Sequence, residues 1–255
     1  MRCWSGRWVG RLALLGLAAA QAAADDGRRP GSASMSPALQ AMQRDDAQNP
    51  AQLWVQDGRS LMSRPATNGR RCLDCHAGHS LDDAATRHPA WDARLGRPAT
   101  LAERINQCRV QHLQQASEGP DGEAVLSLSA WLAHQARGLA IAAPTDARLA
   151  PWVEQGRALW QRRLGQLNLS CAQCHDQRAG QRLGGATIPQ GHPTAYPVYR
   201  LEWQTLGSLQ RRLRGCLVGV RAEPWAADAP EWLALQAFLM QRSAGMALEG
   251  AGVRP

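Results

Sequence analysis

The residues able to do chemistry in this chain of 255 residues are its cysteines and the histidines and arginines around them. Cys72-Leu73-Asp74-Cys75-His76 and Cys171-Ala172-Gln173-Cys174-His175 repeat one pattern: two cysteines two residues apart, followed at once by histidine. Thiols at that spacing can each add to a vinyl group of a haem, and the adjacent imidazole then meets the iron from one side of the ring. A lone copy would equally suit a redox dithiol or half of a zinc site. Two copies, each following a Trp-Val-x-x-Gly stretch, point to two covalently bound haem c groups, attached through Cys72 and Cys75 and through Cys171 and Cys174, with His76 and His175 on the irons.

Each iron has a second face. No methionine occurs between Ala77 and Ala150, so the first iron chooses among His79, His88, His112, His134 and Cys108. His192, Met240, Met246 and Cys216 compete for the second. Cys108 and Cys216 alone stand at matching places in the two halves, which favours thiolate ligation of both irons. A disulfide between them, or buried free thiols, are the alternatives. Thiolate is a strong donor that lowers a haem's reduction potential, so at least one site is expected to do more than carry electrons. Arg212 lies four residues before Cys216, on the same helical face, with Arg211 and Arg214 close by. Cations near a thiol favour the thiolate, and the guanidinium fork suits an oxyanion. Arg104 stands at the same spacing from Cys108. Spacing therefore does not say which site reacts; the extra arginines favour the second, although Arg211 and Arg214 would serve equally as a solvated face. His112 and His134 read as surface or core-edge residues, and the ten tryptophans as packing.

These groups sit in a duplicated frame. Trp54 to Leu61 matches Trp152 to Leu159 at an offset of 98, the Cys-x-x-Cys-His motifs match at 99, and Leu101 to Cys108 resembles Leu209 to Cys216 at 108. Each half then closes on a helical pattern, Val125-Leu128-Trp131-Leu132 and Trp232-Leu235-Phe238-Leu239. With Tyr and Phe scarce and no alternating Val/Ile run, strand signals are scarce, and short helices joined by long loops fit better. The fold class is mainly α, two tandem class I cytochrome c-like domains related by internal duplication: 50–144 with the first haem and 145–255 with the second, divided at Ala142 to Asp146. Residues 25–49 form an N-terminal tail, mobile over 25–36.

Residues 1–24 read as a secretory signal peptide: Arg2, Arg7 and Arg11 without an acid, the apolar run Leu12 to Ala20, and Ala22-Ala23-Ala24 before Asp25-Asp26. That run is too short for the ~20 residues of a membrane span. Periplasmic localisation follows, without stable membrane insertion. Of the seven cysteines, Cys3 leaves with the leader, and six remain as two sets of three. The charge of +8, all of its cations arginine, falls to +5 once three arginines are removed, which argues against a nucleic-acid partner.

Beyond these motifs, the chain resembles the SoxA family, the larger subunits of the SoxAX cytochromes of bacterial thiosulfate oxidation. The resemblance spans roughly residues 50–255. It is densest at Cys171 to Asp176, Arg182-Leu183-Gly184-Gly185, Ile188-Pro189-Gln190, His192-Pro193-Thr194, Tyr199 to Trp203, Gly219 to Pro224 and Gly252-Val253-Arg254-Pro255. It implies a dihaem L-cysteine S-thiosulfotransferase that joins thiosulfate to a cysteine of the carrier SoxYZ. It also implies a SoxX subunit bearing a further haem and a downstream c-type cytochrome as electron acceptor. Carried over by position, His76 and Cys108 would ligate the first iron and His175 and Cys216 the second. Cys216 would be the catalytic persulfide and Arg212 would hold the sulfur oxyanion. Leu217-Val218 is a local departure. The rivals are a non-catalytic dihaem electron carrier and a dihaem peroxidase, the latter disfavoured by thiolates on both irons.

Overall fold

The computed structural model describes residues 26–78 and 80–255. The leader read at 1–24 and the candidate ligand His79 lie outside them. Helix α1 (Pro37–Arg44) precedes a unit that occurs twice. In the first half it comprises α2 (Gln52–Ser63), α3 (Cys72–His76), the hairpin β1 (Ala90–Asp92) and β2 (Arg97–Ala99), α4 (Leu101–Leu113) and α5 (Glu123–Gln135). In the second it comprises α6 (Ala150–Gln161), α7 (Cys171–His175), a small extra hairpin β3 (Arg182–Leu183) and β4 (Ala186–Thr187), then β5 (Val198–Arg200), β6 (Thr205–Gly207), α8 (Leu209–Gly219) and α9 (Pro230–Arg242). A last strand, β7 (Gly252–Arg254), adds in parallel to β5.

The Trp-Val-x-x-Gly stretches owe their glycines to a helix crossing. In each half the first and last helices pack directly on one another, α2 on α5 and α6 on α9. A Cβ on Gly58 would lie 2.0 Å from the carbonyl oxygen of Ser127, and one on Gly156 2.1 Å from that of Ala234. The backbones touch, and no side chain fits between them. Around each crossing an apolar cluster forms. Met62, Ile105, Val125, Leu128 and Leu132 build the first, and Val153, Trp160, Leu213, Leu217, Trp232 and Phe238 the second.

Helices α4 and α8 start on equivalent caps: Thr100 accepts from Glu103 N, and Ser208 from Arg211 N. The hairpin before each has the same register, with Asp92 opposite Arg97 and Arg200 opposite Thr205. The chain is mainly α as expected, and the strands it adds are short. Segments of two or three residues are too brief to show the alternation by which a strand is read from sequence.

The halves share their cores. Helix α5 is buried nearly all round because Val125, Leu128 and Leu132 face its own half while Leu126 and Ala130 join Leu206 and Ala251 of the other. Ala133 and Ala136 meet Leu248, with Met240 packed alongside. The chain just before the Ala142–Asp146 boundary hydrogen-bonds to the C-terminal segment, Ile141 N to Met246 O and Leu248 N to Leu139 O, both at 2.9 Å.

The segment expected to be a mobile tail is docked instead. Arg28 donates to the carbonyls of Arg242 and Ala244 at 3.2 and 2.9 Å, filling acceptors at the C-terminal end of α9. Ser32 hydrogen-bonds Glu249. Met35 and Leu39 then pack on Val253, and Gln43 accepts from Val253 N at 3.1 Å. Those partners lie more than 200 positions away, out of reach of local composition. No helix among the described residues is long and apolar enough to cross a membrane.

Candidate functional site

The second half gathers its chemistry between α7 and α8. Ser170 caps α7, and Gln173 Oε1 accepts in turn from Ser170 N, which fixes the start of the Cys-x-x-Cys-His turn. On α8, Leu213 and Leu217 enter the apolar cluster, and Arg212 and Cys216, one turn apart, share the face toward α7. The Cys216 sulfur is hydrogen-bonded to His175, and the charge of Cys216 is felt by Cys171. His175 places Nδ1 2.7 Å from the carbonyl oxygen of Pro189. That carbonyl can only accept, so Nδ1 carries the proton and Nε2 is left as the metal-binding nitrogen. Trp160 lies 5.5 Å from the imidazole, held by a hydrogen bond from Nε1 to Asp176 at 2.8 Å, and Arg242 braces the same carboxylate at 2.6 Å.

Burial works against ionisation of Cys216. The hydrogen bond with His175 and the positive charges of Arg212 and Arg200 outweigh it, and the thiol lies below its ordinary value. Cys171 shows the reverse: burial and the neighbouring Cys216 push it up to about 12. Arg212 forms no ion pair with any carboxylate among the described residues. Burial lowers its pKa, but Cys216 and Tyr196 raise it further. Arg211 does not face the sulfur; it lies 4.3 Å over the Trp203 ring, and Arg214 is exposed.

In the first half, Cys108 on α4 lies near Cys72, whose thiol is raised by burial and then by Cys108. Cys75 is exposed. Here Arg104 is spoken for: its Nη1 is 3.3 Å from Asp92 and it also bonds Gln107. Arg109 is buried against Glu118 at 2.5 Å.

The structure thus brings Cys171, His175, Arg212 and Cys216 together in one half and Cys72 and Cys108 in the other, with Cys75, His76 and Cys174 on the short helices α3 and α7. It corrects the disulfide alternative, because Cys108 and Cys216 sit by different motifs and all six described cysteines are free. Other ligand candidates are engaged elsewhere. His134 bonds Gln52 and Arg137, His88 bonds the carbonyl of Ala84, and His192 bonds Ser243 Oγ. Met240 packs between the halves and His112 is exposed. Two neighbours of Cys216 are not legible in the sequence: half-buried Tyr196, and Arg200 on β5. Both stand 108 positions after a first-half counterpart, His88 and Asp92, the same offset that relates the two cysteines.

A covalent haem fits these residues. Each half offers two thiols on one helical turn, an imidazole next to them, a third thiol from the following long helix and an apolar wall. At the second site the Nδ1-bonded imidazole already faces the third sulfur.

Comparison with known proteins places this arrangement. The family model of the SoxA/TsdA cytochrome c domain matches residues 57–141 and 155–248. The chain is 32% identical to the L-cysteine S-thiosulfotransferase subunit SoxA of Rhodovulum sulfidophilum, over 84% of this chain and 76% of that one. It is 33% identical to the subunit of the same name from Allochromatium vinosum, over 78% and 72%. Among solved structures it superposes on SoxXA from P. pantotrophus with a TM-score of 0.85 and 28% identity, covering 89% of this chain and 87% of that one.

Proposed function

Since the chain belongs to the SoxA/TsdA cytochrome c family, we propose that it is the catalytic dihaem subunit of an L-cysteine S-thiosulfotransferase, exported to the periplasm and paired with a SoxX-type cytochrome. Residues 50–144 hold one haem through Cys72, Cys75, His76 and Cys108. Residues 145–255 hold the other through Cys171, Cys174, His175 and Cys216. When bound, the haems supply an acceptor for the two electrons of the reaction and pass them toward the partner's haem and a downstream c-type cytochrome.

The protein's own groups do the rest. Arg212 holds the sulfonate end of thiosulfate. Its outer sulfur bonds to the Cys216 persulfide with loss of two electrons. A thiolate of the SoxYZ carrier then attacks that outer sulfur and leaves as the carrier S-thiosulfonate, with the Cys216 persulfide as leaving group. The sum is carrier thiolate plus thiosulfate giving the S-thiosulfonate and two electrons. His175, oriented by its hydrogen bond to the Pro189 carbonyl, would hold the iron through Nε2, while the charges of Arg212 and Arg200 favour the ionised Cys216 sulfur.

One observation supports this above the others: the Cys216 sulfur stands beside the Cys-x-x-Cys-His turn and one helical turn from Arg212, which forms no ion pair with a carboxylate among the described residues. Replacing Cys216 by Ala is expected to abolish thiosulfate-dependent turnover while covalent haem content stays near that of the wild type. Substantial residual turnover would overturn the assignment. In the intact protein's mass, two haems and about 32 Da removed by reductant are expected for the persulfide.

A further inference from the structure

We propose that Arg200 is a second substrate-positioning residue, forming with Arg212 a two-arginine clamp for the thiosulfate oxyanion that the first half cannot form because Asp92 occupies the equivalent place. This rests on the assignment of Cys216 as the sulfur-transfer site. The duplication supplies the geometry. Asp92 ends β1 and Arg200 ends β5, each preceding a hairpin of identical register, and both hairpins lead into the capped helices α4 and α8. In the first half the side chain from that strand position reaches the arginine one turn before the cysteine, Asp92 to Arg104 at 3.3 Å. In the second half Arg200 holds that strand position and Arg212 that helix position, and the two charges act on each other.

The change of sign reverses the electrostatics. Asp92 and Arg104 cancel, so the neighbourhood of Cys108 contains a closed ion pair. Arg200 and Arg212 repel one another, and each is felt at the Cys216 sulfur. Arg200 has little solvent to soften this, its side chain being 13% exposed. Its one carboxylate partner among the described residues, Glu202, is half exposed and meets Nε at 2.8 Å, which leaves the two terminal nitrogens of the fork without a carboxylate. The guanidinium also lies 5.3 Å over the Trp203 ring, which holds its plane. Two guanidinium forks whose terminal nitrogens meet no carboxylate among the described residues, beside a nucleophilic sulfur, match a small dianion carrying several equivalent oxygens. Asp92 and its ion pair thereby restrict substrate to the second site, although both halves present a cysteine to iron.

The test measures thiosulfate turnover and, separately, calorimetric binding of thiosulfate to the intact haem-loaded subunit complex. Arg200→Gln is expected to raise KM and the dissociation constant by about tenfold to a hundredfold, the loss of a charged hydrogen bond, with covalent haem content unchanged. Arg200→Lys should recover part of the loss. Arg200→Asp, which recreates the pairing of the first half, should abolish binding. A wild-type KM and dissociation constant in Arg200→Gln, with Arg212→Gln impaired, overturn the clamp and leave the proposed function standing. Binding that depends on Arg200 in a protein without turnover would instead overturn the function and keep the anion site. Should Arg200→Gln fail to take up haem, phenylglyoxal labelling of the wild type decides: thiosulfate should protect both arginines, and protection of Arg212 alone overturns the clamp.

Discussion

Two neighbouring cysteines are driven in opposite directions here. Burial holds the proton on Cys171, up to about 12, whereas Cys216, equally enclosed, is drawn down by an imidazole and two guanidiniums. The sequence carried half of that contrast. Arg212 and Cys216 are legible as a pair because four residues make one helical turn. Arg200 is not legible in that way: it sits on a three-residue strand, and only the duplication reveals that it takes the place of an aspartate. The same reasoning ranks the two arginines that precede the cysteines. Arg212→Gln is expected to lower kcat/KM for thiosulfate by at least about a hundredfold. Arg104→Gln should change it by less than about threefold, because Arg104 is already paired with Asp92. Steady-state kinetics on haem-replete preparations of both variants will check this.

At the scale of elements, the repeated Trp-Val-x-x-Gly motif was visible as a repeat, but its reason was not. It marks where α2 meets α5 and α6 meets α9 backbone to backbone. Gly58→Ala and Gly156→Ala are each expected to cost about 1–3 kcal/mol or more, since a methyl group would have to occupy the position of a carbonyl. Gly215, on exposed helix with no heavy atom near its ideal Cβ, provides the contrast: Gly215→Ala should stabilise by up to about 1 kcal/mol. Chemical denaturation of the three variants measures both signs. The hairpins escaped detection because strands this short have no period, and the docked N-terminal segment because its partners belong to the far end of the chain.

At the scale of the molecule, the two copies do not behave as beads on a string. Leu126 and Ala130 of one half share a cluster with Leu206 and Ala251 of the other, and the C-terminal segment pairs with the end of the first half. A single cooperative unfolding transition is expected in calorimetry, with coincident loss of haem absorbance and helical signal. Acid should weaken it in a defined window. Burial, then Arg242 and Arg28, depress His192 to about 4 from an ordinary 6.5. The unfolded chain therefore binds the proton more readily, and stability should fall as pH drops from about 6.5 and level off below about 4. The whole loss is on the order of 3 kcal/mol. His192→Gln should flatten that part of the profile.

The docking of α1 on β7 has a consequence in time as well as in space. Asn49 bonds the carbonyl of Ala251, Gln43 bonds the backbone of Val253, and Leu39 rests on Val253. These contacts join positions more than 200 residues apart, so α1 can seat only after the second half has formed, and it is expected to be among the last elements to close during folding.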